Sequence, residues 1–250
     1  MPVFKHDNLD FYFVDEGEGE PIVLVHGFAS NLEINWAFPG WISTLLNAGR
    51  RVIALDNRGH GKSSKPHDPA SYGLPVMAGD VIALLDYVEV ERADYLGYSM
   101  GGRIGTLLAL THPVRIRSAI LGGIGESLIT GPGRVDHIVE ALEAKGGAAV
   151  DDPVARSFRV FAEQTKSDLV ALAACMKSLR HQFSPEELAK CEVPVLIVRG
   201  SDDDIAGPAR EIAEMIPGAQ YVEIPGRNHM TAVGDKVFKD AALAFLARRP

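Results

Sequence analysis

Short β-branched runs separated by longer amphipathic stretches are the feature that most limits what this chain can fold into. The runs are IVLV at 22–25, VIAL at 52–55, ADYLG at 93–97 and SAIL at 118–121, followed after a gap by VPVLIV at 193–198 and QYVEI at 220–224. Strands covered on both faces read as unbroken apolar runs, and their alternation with helical stretches builds a parallel sheet with crossover helices. An α/β fold follows. Two further strands, near Val3 and Phe11, are expected at an antiparallel edge, and a helical pattern over about 235–248 closes the chain. With 250 residues and 46% apolar side chains, the sequence can bury a sizeable core within a single domain.

Between roughly 124 and 192 no strand pattern appears. Val135, Ile138, Val139 and Leu142, then Leu169, Leu172, Cys175, Met176 and Leu179, recur instead at helical spacing. Gly131, Pro132, Gly146, Gly147, Pro153 and Pro185 punctuate this stretch into about four short helices. Because it interrupts the sheet between two strands, the insertion is expected over their carboxyl ends, where open α/β sheets place a ligand crevice. It reads as a helical cap of 124–192 on a core of 1–123 and 193–250; a helical subdomain with no role at the site is the alternative.

The formal charge of −8 arises from 33 acidic and 25 basic residues without a long run of one sign, which argues against a nucleic-acid partner. The opening MPVFKHDNLD lacks the basic and apolar blocks of a secretory signal, and no segment is apolar for long enough to span a bilayer, so a cytoplasmic protein without a membrane partner is expected. Cys175 and Cys191 form no CxxC pair and read as buried structural thiols rather than a zinc site or disulfide.

Gly97, Tyr98, Ser99, Met100 and Gly101 spell G-x-S-x-G where a strand ending at Leu96 must turn sharply into a helix carrying Ile104, Leu107 and Leu108. Such a turn strains the serine backbone, and the residues two before and two after it must lack side chains to avoid collision. Gly97 and Gly101 meet that need. The turn lifts the Ser99 hydroxyl above the sheet edge, with the N–H of Met100 facing the same space. With GYSMGG in this context, the sequence resembles the α/β-hydrolase superfamily at its nucleophile elbow. HGFAS, directly after the run at 22–25, looks like the family's oxyanion loop, and DNRGHGKS at 56–63 looks like its loop after the fourth strand.

The resemblance implies an α/β-hydrolase fold: a mostly parallel, twisted sheet of about eight strands flanked by helices, with the helical cap inserted after the sixth strand. It also implies a serine hydrolase needing no metal or organic cofactor. Phe28 would give the second oxyanion N–H beside Met100, with Gly27 letting the backbone swing inward, while His26 and His60 hold loops. The family's chain order is nucleophile, acid, histidine, and after Ser99 only His112, His137, His181 and His229 remain. His112 precedes Pro113 at a helix end, and His137 and His181 fall in the insertion. His229, just before the terminal helix, occupies the family's position for the base. The family places its acid three residues after a glycine, so Gly200 selects Asp203, with Asp202, Asp204 and the more distant Glu126 as alternatives.

Phe28, Phe38 and Phe183 are expected around an apolar cleft, with Trp36, Phe158, Phe161 and Met176 as substrate-binding candidates. The cap arginines Arg134, Arg156, Arg159 and Arg180 are candidate carboxylate anchors. The leading expectation is hydrolysis of a small or medium carboxylic ester through an acyl-enzyme. An enol-lactonase, a carbon–carbon bond hydrolase or a perhydrolase would present the same triad. A ligand receptor signalling through its cap is the alternative of another class.

Overall fold

The computed structural model describes residues 2–145 and 151–248. Its eight strands are β1 (Val3–His6), β2 (Leu9–Glu16), β3 (Glu20–Val25), β4 (Arg50–Leu55), β5 (Ala93–Tyr98), β6 (Ile116–Gly122), β7 (Val195–Gly200) and β8 (Gln220–Ile224). They form one sheet in the order β1-β2-β4-β3-β5-β6-β7-β8. Only the β1–β2 and β2–β4 pairings are antiparallel, as the expected N-terminal edge requires. Asp7 and Asn8, at φ 50° and 59°, supply the two left-handed residues that a two-residue hairpin loop needs to follow strand twist. β7 begins at Val195, two residues later than the apolar run suggested, because Pro194 has no N–H to give a ladder.

Side chains alternate between two cores. Val23, Val25, Ile53, Leu55, Tyr95 and Leu121 face α2 (Leu74–Tyr87) and α3 (Met100–Thr111). Ile22, Leu24, Ala54, Leu96, Ile120 and Val198 face α1 (Trp41–Asn47) and the closing helix α10 (Lys236–Arg248). Both faces being covered explains why these strands read as continuous apolar runs. From β3 the chain moves outward to β4, then returns to place β5 on the other side of β3. This reversal parts the connections at the carboxyl ends of β3 and β5 and leaves a crevice there.

Between β6 and β7 the described chain has helices but no strand: α4 (Ser127–Thr130), α5 (Val135–Glu143), α6 (Pro153–Gln164), α7 (Leu169–Ser178) and α8 (Pro185–Leu188). Five described segments stand where about four were expected, and two of them, α4 and α8, are single turns. Pro153 and Pro185 start helices rather than break them, since the first helical position needs no N–H donor. Asp152 and Asp168 cap α6 and α7, and Ser184 with Glu187 forms a capping box on α8. Gly146 and Gly147 lie outside the described residues. α9 (Arg210–Met215) connects β7 to β8. Among the described residues no helix is long and apolar enough to cross a membrane, and Cys175 and Cys191 are buried and unpaired.

The loop after β4 is fixed from below. Arg58 Nε and Nη2 donate to Asp80 of α2 at 2.7 and 2.5 Å, with both residues almost fully buried. Removing one partner of such a pair strands the other charge in the interior. Asp80→Ala is therefore expected to lower the unfolding free energy by about 3 kcal/mol or more, read from urea denaturation at neutral pH.

Candidate active site

Ser99 sits between β5 and α3 at φ 55° and ψ −112°, a backbone that residues with side chains rarely adopt. Its N–H donates to Gly122 O at 2.8 Å, and its carbonyl accepts from Arg103 N at 3.0 Å. A Cβ at Gly97 would meet the Gly101 carbonyl and the Tyr95 ring, and one at Gly101 would meet the Val25 carbonyl. The same crowding exists across the crevice, where a Cβ on Gly27 would lie 3.3 Å from Ser99 Cβ. Asn35 Oδ1 accepts the Gly27 N–H at 2.9 Å and holds the loop after β3 inward. Among the described residues, the N–H groups of Phe28 and Met100 donate to no protein acceptor.

Three loops at the carboxyl edge of the sheet bring the polar groups together. His229, after β8, approaches Ser99 Oγ through Nε2 at 2.9 Å. Its Nδ1 lies 3.0 and 2.8 Å from the two carboxylate oxygens of Asp203, after β7. Nδ1–H donation to the carboxylate leaves Nε2 free to accept the serine proton. Burial alone would push the Asp203 carboxyl upward, but the His229 hydrogen bond and charge, together with the N–H groups of Ala206 and Ile205, hold it below the ordinary carboxylate range. Asp202 and Asp204 are exposed, and Ser201 Oγ donates to Asp202. Glu126 is exposed at the start of α4. Tyr98 Oη donates to the His229 carbonyl at 2.6 Å, so the residue before the serine also steadies the histidine loop. Nothing in the sequence pattern singled out Tyr98 or Asn35; both act through contacts distant along the chain.

Two spaces meet at these groups, both bordered by Phe28, Ser99, Phe158 and His229. The more enclosed of the two is a cavity of about 230 Å³ walled by Met100, Ile124, Ile138, Met176 and Ile205. The other is a more open cleft of about 920 Å³ that includes Ile34, Phe38, Val160 and Phe161. Phe158 borders both spaces, Phe161 the cleft and Met176 the cavity, while Phe38, 88% exposed, stands at the rim. Trp36 does not line it. A π-helical turn over Glu33–Ala37 adds a residue to the local repeat, so Trp36 turns into the core edge-on to Trp41 while Ile34 and Asn35 reach the cleft. Phe183 is likewise buried, packed against the His181 ring. Of the insertion's arginines, Arg134 pairs with Asp152, Arg159 with Glu163 and Arg180 with Asp136, while Arg156 borders the open cleft.

The sequence profile of the alpha/beta hydrolase fold family matches residues 20–141. Over 252 residues the chain is 30% identical to a Synechocystis sp. protein provisionally named a non-heme chloroperoxidase, covering 88% of each chain. The chain belongs to the α/β-hydrolase family. It is 29% identical to the 2-hydroxy-6-oxo-6-(2'-aminophenyl)hexa-2,4-dienoic acid hydrolase of Metapseudomonas resinovorans, across 95% of this chain and 87% of that one. The crystal structure of the enol-lactonase from Burkholderia xenovorans superposes with a TM-score of 0.83 at 27% identity, covering 99% of this chain and all of that one.

In this α/β hydrolase the loops under the site are held by neutral histidines. His26 Nδ1 lies 2.8 Å from Gly27 O, and its Nε2 accepts from Asn57 N at 3.0 Å. His60 Nδ1 lies 2.9 Å from Arg58 O, and the two rings stand 5.2 Å apart. Asp56 accepts from the N–H groups of Leu32 and Lys62, both at 2.7 Å, so the charged 56–63 loop is a framework. Burial drops the pKa of His26 to about 4; burial and the charge His26 would carry drop that of His60 to about 3. Below the ordinary histidine pKa of about 6.5, the unfolded chain takes up protons at these two positions that the folded chain refuses, so stability falls with acidification from there to about pH 4. By pH 5 the expected loss is roughly 2 kcal/mol per histidine. Urea unfolding measured from pH 7.5 to 5 should show it, with a linkage slope near two protons from this pair.

Proposed function

We propose that this chain is a serine hydrolase that cleaves a carboxylic ester of a small or medium substrate through Ser99, His229 and Asp203. The observation that carries the reading is the unbroken hydrogen-bond chain from Ser99 Oγ through His229 to Asp203, set beside two unengaged backbone N–H groups. His229 Nε2 takes the serine proton as Oγ attacks the acyl carbon, and the Phe28 and Met100 N–H groups receive the developing oxyanion. Asp203 stabilises the resulting imidazolium, which then protonates the departing alcohol. Water enters, His229 removes its proton, and the acyl-enzyme is hydrolysed. Residues 1–123 and 193–250 form the catalytic core in this reading, with 124–192 as a cap shaping the cavity and cleft.

A second reading is lactone opening, which needs the same groups and is favoured by the superposition on an enol-lactonase across the whole chain. Turnover of simple esters, an enol-lactone and a ring-cleavage dienoate, compared on one preparation, ranks ester, lactone and carbon–carbon cleavage.

Graded nitrophenyl esters and fluorophosphonate labelling test the central claim. Ser99→Ala should abolish both signals, and retention of either overturns the reading. Asp203→Asn should lower kcat by on the order of 10⁴ with the fold intact, because the wrong histidine tautomer would face the serine. An equal loss in Asp204→Asn, with Asp203→Asn active, would move the acid.

A further inference from the structure

Arg103 lies four residues after Ser99, one turn along α3, and borders the enclosed cavity. It is 7% exposed. Nη1 donates to Ser127 O at 2.7 Å and Nη2 donates to His181 O. Among the described residues no carboxylate pairs with it. Burial lowers its pKa to about 10, which leaves it charged at neutral pH. A guanidinium offers five N–H donors, and a buried charge without a counter-charge is costly. The other cation on this wall, Arg134, is already paired with Asp152, and the wall's acid, Asp204, is exposed. Most of the remaining wall is apolar.

The two spaces are not equivalent in an acyl-transfer reaction. The alcohol departs first, while the acyl group is still bonded to Ser99, so the alcohol requires the open side and the retained acyl group can occupy the enclosed one. On the serine-hydrolase reading above, we propose that the enclosed cavity is the acyl pocket and that Arg103 receives a carboxylate at the far end of the acyl group. The preferred substrates are then half-esters of short dicarboxylic acids. A cavity of about 230 Å³ is smaller than the roughly 300–1,000 Å³ typical of ligand pockets, which favours a short acyl chain. The planar guanidinium suits a carboxylate. The substrate charge would supply the missing counter-ion.

Monomethyl succinate, glutarate and adipate, each compared with the neutral methyl ester of matching length, test the assignment. The half-ester should exceed its neutral counterpart at least tenfold in kcat/KM for at least one of the three lengths. In Arg103→Gln that ratio should collapse toward one, whatever the variant does to both rates, and Arg103→Lys should restore part of it. A wild-type preference for the neutral esters overturns the proposal without recourse to any variant, as does a ratio unchanged in Arg103→Gln. Calorimetric binding of glutarate to Ser99→Ala, and its loss in Ser99→Ala with Arg103→Gln, separates the two readings. Arg103-dependent glutarate binding without turnover of any ester upholds the pocket and sinks the esterase reading. Ester turnover without glutarate binding sinks the pocket alone.

Discussion

The left-handed backbone of Ser99 is the constraint on which the rest of the site depends. A residue in that region stores on the order of 1–3 kcal/mol, and it persists only where the surroundings leave no alternative. Here β5 is buried along its whole length between β3 and β6, and Gly122 and Arg103 tie the backbone on either side of the serine. Relaxing the turn would swing Oγ away from His229 and rotate the Met100 N–H with it. Gly27, Gly97 and Gly101 matter through close approach, since each lets one backbone come where a side chain would stand.

Around that turn, the hydrogen-bonded side chains come from separate strand ends: Ser99 after β5, Asp203 after β7 and His229 after β8. The reversal of strand order places the loop after β3 against the serine, which is why Phe28 and Met100 border the same cavity. Tyr98 joins two of these loops through its hydroxyl. The arrangement asks little of any one loop because the sheet fixes all their starting points. The Asp203 carboxyl is held below the ordinary carboxylate range, against the upward push of burial, by His229 and by donors from its own turn.

How much of this could be read beforehand follows from the range of the forces involved. The serine turn is local: strand, two glycines and a helix suffice to mark it. The sheet is legible too, because burial on both faces leaves unbroken apolar runs. Asp203 stands in a run of three aspartates where the family's spacing from Gly200 selects it but leaves Asp202 and Asp204 as alternatives; its complete burial beside those two exposed neighbours is a tertiary fact. Trp36 misled because a π turn shifts the local register, so its aromatic bulk fills the core instead of the cleft. Arg103 was missed for the opposite reason. The insertion's arginines Arg134, Arg159 and Arg180 meet acids close at hand, whereas Arg103 belongs to the helix that follows Ser99 and, among the described residues, finds only carbonyls.

Core and insertion are joined at the groups that border both spaces. The Phe28 and Phe158 rings meet edge to face at 5.8 Å, and Thr165 at the end of α6 donates to the Ala29 carbonyl at 3.2 Å. Phe28 therefore has two attachments: its ring packs on the insertion, while its N–H belongs to the backbone facing Ser99. A displacement of α6 would change the division between cavity and cleft and, through Phe28 and Ala29, the aim of that N–H. On the serine-hydrolase reading proposed above, an oxyanion donor loses much of its effect when misplaced by a fraction of an ångström, so that reading couples selectivity to rate through this contact. Substitutions in α6 that alter which acyl group fits should accordingly change the chemical step as well, even though none of its residues donates to the reacting atoms.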